Sequence, residues 1–160
     1  IPGAKKDSVL LATWYQDLAP LKNTDGMNQE YWEKVHAVRD AVNKEIEAQR
    51  NAGKIGSALE AEVTLYCGAS VKPILDALED ELRFVLITSG ARVLPDSNAP
   101  LDAVITDVPG LSLQVHATMH AKCERCWHRS ADVDENQEYP GICGRCVENV
   151  AGSGEVRIYA

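Results

Sequence analysis

Four of the five cysteines of this 160-residue chain fall in one short stretch near its end, as the pairs Cys123/Cys126 and Cys143/Cys146, with sixteen residues between the pairs. No other feature constrains the fold as strongly. Two Cys-x-x-Cys turns at this separation fit a four-thiolate zinc site, in which each turn delivers two sulfurs to one side of a tetrahedral ion and a connecting hairpin brings the second turn over. Gly141 and Gly144 suit the tight turns this requires. Arg125 and Arg145 lie inside the two pairs, where guanidinium groups offset the net charge of minus two that four thiolates leave on Zn²⁺. The competing reading, two disulfides in a secreted domain, is disfavoured: no charged and apolar leader opens the sequence, and four clustered cysteines fit a metal site in a reducing compartment. Since cysteine fills all four ligand positions, the expected ion is structural, with no position open for water.

The rest of the chain is expected to carry this site. No apolar run approaches the ~20 residues needed to span a bilayer. Sixteen basic against twenty-four acidic residues give a net charge of −8, which argues against a nucleic-acid binder working through bulk charge and confines any such role to a local surface. The first residue is Ile rather than Met, so a fragment of a longer chain is expected. There is no glycine-rich phosphate loop, no Gly-x-Ser-x-Gly and no His-Glu-x-x-His, and His36, His116, His120 and His128 are scattered. The sequence therefore reads as a binding and positioning module.

Taken in order, residues 1–26 are punctuated by Pro and Gly around a short apolar piece, 8–15, in which Trp14 and Tyr15 are expected to anchor the segment to the next element. Asn28 is a fitting N-cap. From Tyr31 through Val35, Val38, Val42, Ile46 and Gln49 the three- and four-residue steps predict an amphipathic helix of about 24 residues ending near Gly53, with Glu30/Lys34 and Asp40/Lys44 as supporting pairs. Arg39, Asn43 and Arg50 form a polar edge that reads as solvated. Alternation over 61–67 predicts a strand, which makes Cys67 a small core residue. A helix is predicted over 71–84, strands over 85–88 and 91–94, a turn-rich loop over 95–100, and strands over 103–106 and 111–117. The fold class is thus α+β: a long amphipathic helix, a small α/β junction unit and a C-terminal four-cysteine zinc ribbon.

The string Cys123-Glu-Arg-Cys-Trp-His128, followed by Ile142-Cys-Gly-Arg-Cys-Val-Glu-Asn-Val150, resembles the extreme C-terminus of bacterial-type isoleucyl-tRNA synthetases. The similarity extends upstream through Ile1-Pro-Gly, Trp14, the stretch 38–44, the stretch 55–61 and Glu81-Leu-Arg-Phe-Val-Leu-Ile-Thr-Ser89, and so covers nearly the whole chain. It implies that residues 1–56 end a helical anticodon-binding domain, 57–117 form the junction unit and 118–160 the zinc tail. It further implies one structural Zn²⁺ on Cys123, Cys126, Cys143 and Cys146, and a cytoplasmic, monomeric parent enzyme. That enzyme activates isoleucine with ATP and Mg²⁺ in catalytic and editing domains upstream of this chain, and this chain meets the isoleucine tRNA. Arg125 and Trp127 match the family's Cys-x-Arg-Cys-Trp motif and are the expected RNA contacts, the one pairing with phosphate or a base edge, the other stacking on a splayed base. Two other readings are a zinc ribbon of the formamidopyrimidine-type DNA glycosylases and a protein-interaction ribbon. The catalytic proline that opens those glycosylases has no match in Ile1-Pro2-Gly3.

Overall fold

A computed structural model of the chain describes residues 10, 14, 16–20, 22 and 26–159. Its first long element is helix α1, Gln29–Asn51. Asn28 caps it, its side-chain oxygen accepting from the Tyr31 N–H at 3.0 Å, and Gly53 stops it at a left-handed φ of 70°. Val35, Val38, Val42 and Ile46 form its buried stripe. Each such side chain taken out of water contributes about 1.5–3 kcal/mol, so the stripe together outweighs what the helix draws from propensity or caps. Glu30 and Lys34 pair as expected, but Lys44 turns away from Asp40 and reaches Asp107 at 2.9 Å, since a carboxylate across the groove competes with one on its own turn.

The stripe packs on a four-stranded mixed sheet of order β2-β1-β4-β3. The strands are β1 (Ala61–Cys67), β2 (Gly90–Pro95), β3 (Val104–Ile105) and β4 (Leu111–Ala117). β1 runs parallel to β2 and antiparallel to β4, with Leu65 opposite Val93 on one side and Leu113 on the other. Period-two alternation sends Val63, Leu65 and Cys67 from β1, and Leu111, Leu113 and Val115 from β4, into one core with the α1 stripe. Cys67 is 2% exposed, and burial, helped by Asp76, pushes its thiol up to about 11, in keeping with an inert core residue.

The crossover between β1 and β2 departs from expectation. The single helix predicted over 71–84 is broken into α2 (Lys72–Asp76), a 3₁₀ turn (Glu79–Glu81) and α3 (Leu82–Leu86), because Glu79 takes a left-handed φ of 47°. The strand predicted over 85–88 is absent: α3 runs to Leu86, Ile87 caps it in the left-handed region, and the Thr88 N–H bonds back to the Arg83 carbonyl at 2.9 Å. The β-branched run reads as strand, yet Leu82 and Leu86, one helical turn apart, are both buried, and that burial decides the local structure. A further 3₁₀ turn, Asp96–Asn98, interrupts the loop after β2. Trp14 is 93% exposed, so the expected anchoring by its ring is not seen among the described residues; Tyr15 and most of the apolar piece lie outside them. Among the described residues no helix is long and apolar enough to cross a membrane.

Candidate metal centre and the surface it holds

The tail begins with a short antiparallel hairpin, β5 (Ala121–Lys122) against β6 (Arg129–Ser130). Between these strands the first cysteine pair forms a knuckle. The Trp127 N–H bonds to the Cys123 carbonyl at 2.9 Å and the Cys123 N–H to the His128 carbonyl at 2.8 Å, which turns both sulfurs inward. The second pair sits differently from a second hairpin turn: Cys143 is the N-cap of helix α4 (Gly144–Ala151), and Cys146 lies within its first turn. Gly141, at φ 79°, meets the expectation of a glycine-dependent turn. Gly144 does not, for its backbone is helical; what it supplies is room, since a Cβ there would stand 2.7 Å from the Asp132 carboxylate that accepts its N–H.

The four sulfurs lie within 4.8 Å of one another, with Cys123 to Cys146 at 3.7 Å and Cys126 to Cys143 at 3.8 Å. Sulfurs about 2.3 Å from the centre of a tetrahedron stand about 3.8 Å apart, so the set has the dimensions Zn²⁺ requires and is far too open for disulfides. The thiols also differ among themselves. Burial works to raise the Cys123 pKa, but the N–H groups of Cys126, Cys143 and Arg125 bring it down to about 6. Burial pushes Cys143 up to about 12 and raises Cys146 even beside Arg125. A bound dication overrides these differences, since each ligand then exists as thiolate. The expected offset of that charge is present: Arg125 directs Nη1 to the Cys146 sulfur at 3.6 Å, and Arg145, whose pKa rises despite its burial, answers the Cys126 sulfur and Glu155.

The finger and the tail after it are tied to the rest of the fold at four places that the sequence does not announce. Ser89 Oγ donates to the Leu59 carbonyl at 2.6 Å and accepts from the Arg129 N–H at 2.7 Å. Arg129 also reaches Glu60 at 3.1 Å. Phe84, the chain's one phenylalanine, sits under the guanidinium groups of Arg83, Arg145 and Arg157 at 4.6, 5.2 and 3.8 Å and against the His128 ring at 5.7 Å. Glu81 then accepts the Ile158 and Tyr159 N–H groups at 2.7 and 2.6 Å, strapping the tail back over α3.

Both expected RNA contacts sit on the knuckle. Trp127 holds a left-handed φ of 69°, a conformation costing a non-glycine residue roughly 1–2 kcal/mol, and its side chain is 61% exposed. Arg125 is exposed apart from its contact with the Cys146 sulfur. Lys122, which sequence reasoning passed over, lies across the face of the Trp127 ring.

By fold and site the chain is an α+β protein ending in a four-cysteine zinc finger. Residues 122–149 match the family described as "Zinc finger found in FPG and IleRS". The whole chain is related to isoleucine--tRNA ligases: over all 160 residues it is 54% identical to the enzyme of Pseudomonas entomophila (strain L48) and 52% identical to that of Pseudomonas paraeruginosa (strain DSM 24068 / PA7). It spans 17% of the length of these relatives. The finger alone is common to both kinds of parent named in the family description; the identity across the helix and sheet favours the ligase over the glycosylase.

Proposed function

We infer that the chain is the C-terminal, tRNA-contacting part of a cytoplasmic, monomeric isoleucine--tRNA ligase whose activation of isoleucine with ATP and Mg²⁺ takes place in other parts of the enzyme. In this reading residues 1–56 end the helical anticodon-binding domain, 57–117 are the junction unit, and 118–160 are the zinc tail. α1 nevertheless shares its core with the sheet, so the first two act as one support. Cys123, Cys126, Cys143 and Cys146 hold one structural Zn²⁺, and the segment itself is non-catalytic. Arg125 meets a phosphate or base edge with the guanidinium N–H groups it does not spend on sulfur, and Trp127 stacks on an unpaired base of the anticodon region.

The observation that carries this reading is the indole of Trp127, exposed on a strained knuckle directly after Cys126, with its N–H bonded to the carbonyl of Cys123. An aromatic face kept in water at a conformational cost favours a stacking partner over packing within the chain. Trp127→Ala in the intact ligase is expected to lower tRNA charging and spare isoleucine-dependent pyrophosphate exchange; unchanged charging removes Trp127 from the RNA surface. Binding of isoleucine tRNA against duplex DNA tests the partner, and preference for the duplex sinks the ligase reading.

A further inference from the structure

The cations of the finger are unequally committed. Arg125 leans on the Cys146 sulfur, Arg129 on Glu60 and the His120 carbonyl, and Arg145 and Arg157 share Glu155. Lys122 differs from all of them. It is exposed, it makes no ion pair among the described residues, and its ammonium lies 4.9 Å from the centroid of the Trp127 ring. Its position is fixed by the hairpin: Lys122 pairs with Arg129 across β5 and β6, one residue before the first zinc ligand, while the left-handed φ of Trp127 swings the indole back beneath it. The result is a cation and a large aromatic face side by side at the surface of a chain whose net charge is −8.

We propose that Lys122 and Trp127 together form a clamp for one unpaired nucleotide: the base stacks on the indole face that Lys122 leaves open, and the Lys122 ammonium neutralises the adjoining phosphate. This rests on the RNA reading above and adds to it a residue and a division of labour. Nucleic acid is the favoured occupant on charge, because an acidic protein that leaves one ammonium unpaired beside an aromatic face complements a polyanion carrying flat bases. A lysine suits the phosphate as a mobile point charge, and the indole beneath it supports the cation while the site is empty.

The test uses the intact ligase with wild-type sequence, Lys122→Ala, Lys122→Arg and Trp127→Ala, binding isoleucine tRNA at a series of KCl concentrations. Lys122→Ala is expected to weaken binding about fivefold and to reduce the slope of log K against log [salt] by about 0.7, the value for one phosphate contact to a single strand. Lys122→Arg is expected to restore the slope, and Trp127→Ala to weaken binding about tenfold while leaving most of the slope, since stacking releases no counterions. Lys122→Ala with wild-type affinity and slope, beside a weakened Trp127→Ala, overturns the clamp and leaves the RNA reading standing. Weakening by Lys122→Ala with no change of slope also overturns it, because the lysine then acts only through the ring. Full affinity in Trp127→Ala overturns both.

Discussion

Ser89 is the most economical place to ask whether the finger and the sheet are one cooperative structure. Its hydroxyl is 6% exposed with the rest of the residue and serves two backbone groups at once, donating to the Leu59 carbonyl just ahead of β1 and accepting from the Arg129 N–H in β6. Ser89→Ala removes both bonds and changes little in volume. A typical internal hydrogen bond contributes about 1 kcal/mol net, and a buried N–H left without an acceptor costs about 1–3 kcal/mol. The Arg129 N–H, whose bond to Ser89 is half-buried, is the group that suffers, so the expected loss is about 1–3 kcal/mol. Urea denaturation of the zinc-loaded chain, followed by circular dichroism and by zinc release, reads this out. In the variant both transitions are expected to move to lower urea together with an unchanged slope, because the tie joins two parts that unfold as one. A loss under about 0.5 kcal/mol, or a shift of the zinc-release transition alone, refutes the reasoning.

Cys143→Ser is expected to abolish stoichiometric zinc and unfold the tail while α1 stays helical, because metal binding and folding are coupled in so small a unit; metal analysis beside far-ultraviolet circular dichroism checks it, and full zinc retention counts against the four-cysteine site. Zinc affinity is expected to fall with pH: Cys143, pushed up by burial to about 12, is protonated throughout the neutral range and must give up its proton to the metal, so affinity drops at least about tenfold per pH unit between about pH 8 and pH 6. A chelator competition that is flat over that range speaks against it. Asp132→Asn is expected to cost about 1 kcal/mol, since the carboxylate accepts the Gly144 N–H at the start of α4. Burial works to raise the Asp132 pKa, but Ser130 and that N–H depress it overall, so its contribution is present above the ordinary carboxylate range and is lost as pH falls through the depressed value; acid titration of stability is expected to be shallower in the variant.

What could be read from the sequence was whatever repeats locally. The two cysteine pairs, the α1 stripe and the alternation of β1 and β4 each carry their own period, and each reappears with nearly the expected bounds. The errors fall where long-range packing overrules a local pattern. Residues 85–88 look like a strand until Leu82 and Leu86 are seen buried on one turn; Lys44 has a carboxylate at the right helical spacing but finds Asp107, 63 residues away, instead. The second cysteine pair offered no sign that it opens a helix, because Gly144 reads as a turn residue until Asp132 is found against it. Phe84, Ser89 and Glu81 were invisible as ties for the same reason: each acts through a partner far along the chain.

Those ties bear on why a metal is present in a chain that already has a core. The finger's own buried cluster is its cysteines, with Val133 and Ile142 packed beside them, too small to order a knuckle that holds Trp127 in the left-handed region. Zinc fixes the ring relative to α4. Ser89, Arg129 with Glu60, and the guanidinium groups over Phe84 then fix α4 and the hairpin relative to the sheet, whose core is continuous with α1. The path from α1 to the indole therefore passes through packed or hydrogen-bonded contacts at every step, and this is what a stacking contact needs, since a base is ordered only as well as the surface it lies on. The acidic charge of the chain is compatible with such a role. Bulk charge governs how fast and how strongly a polyanion is drawn in, whereas in the proposed clamp one placed ammonium and one placed indole would govern where a nucleotide settles.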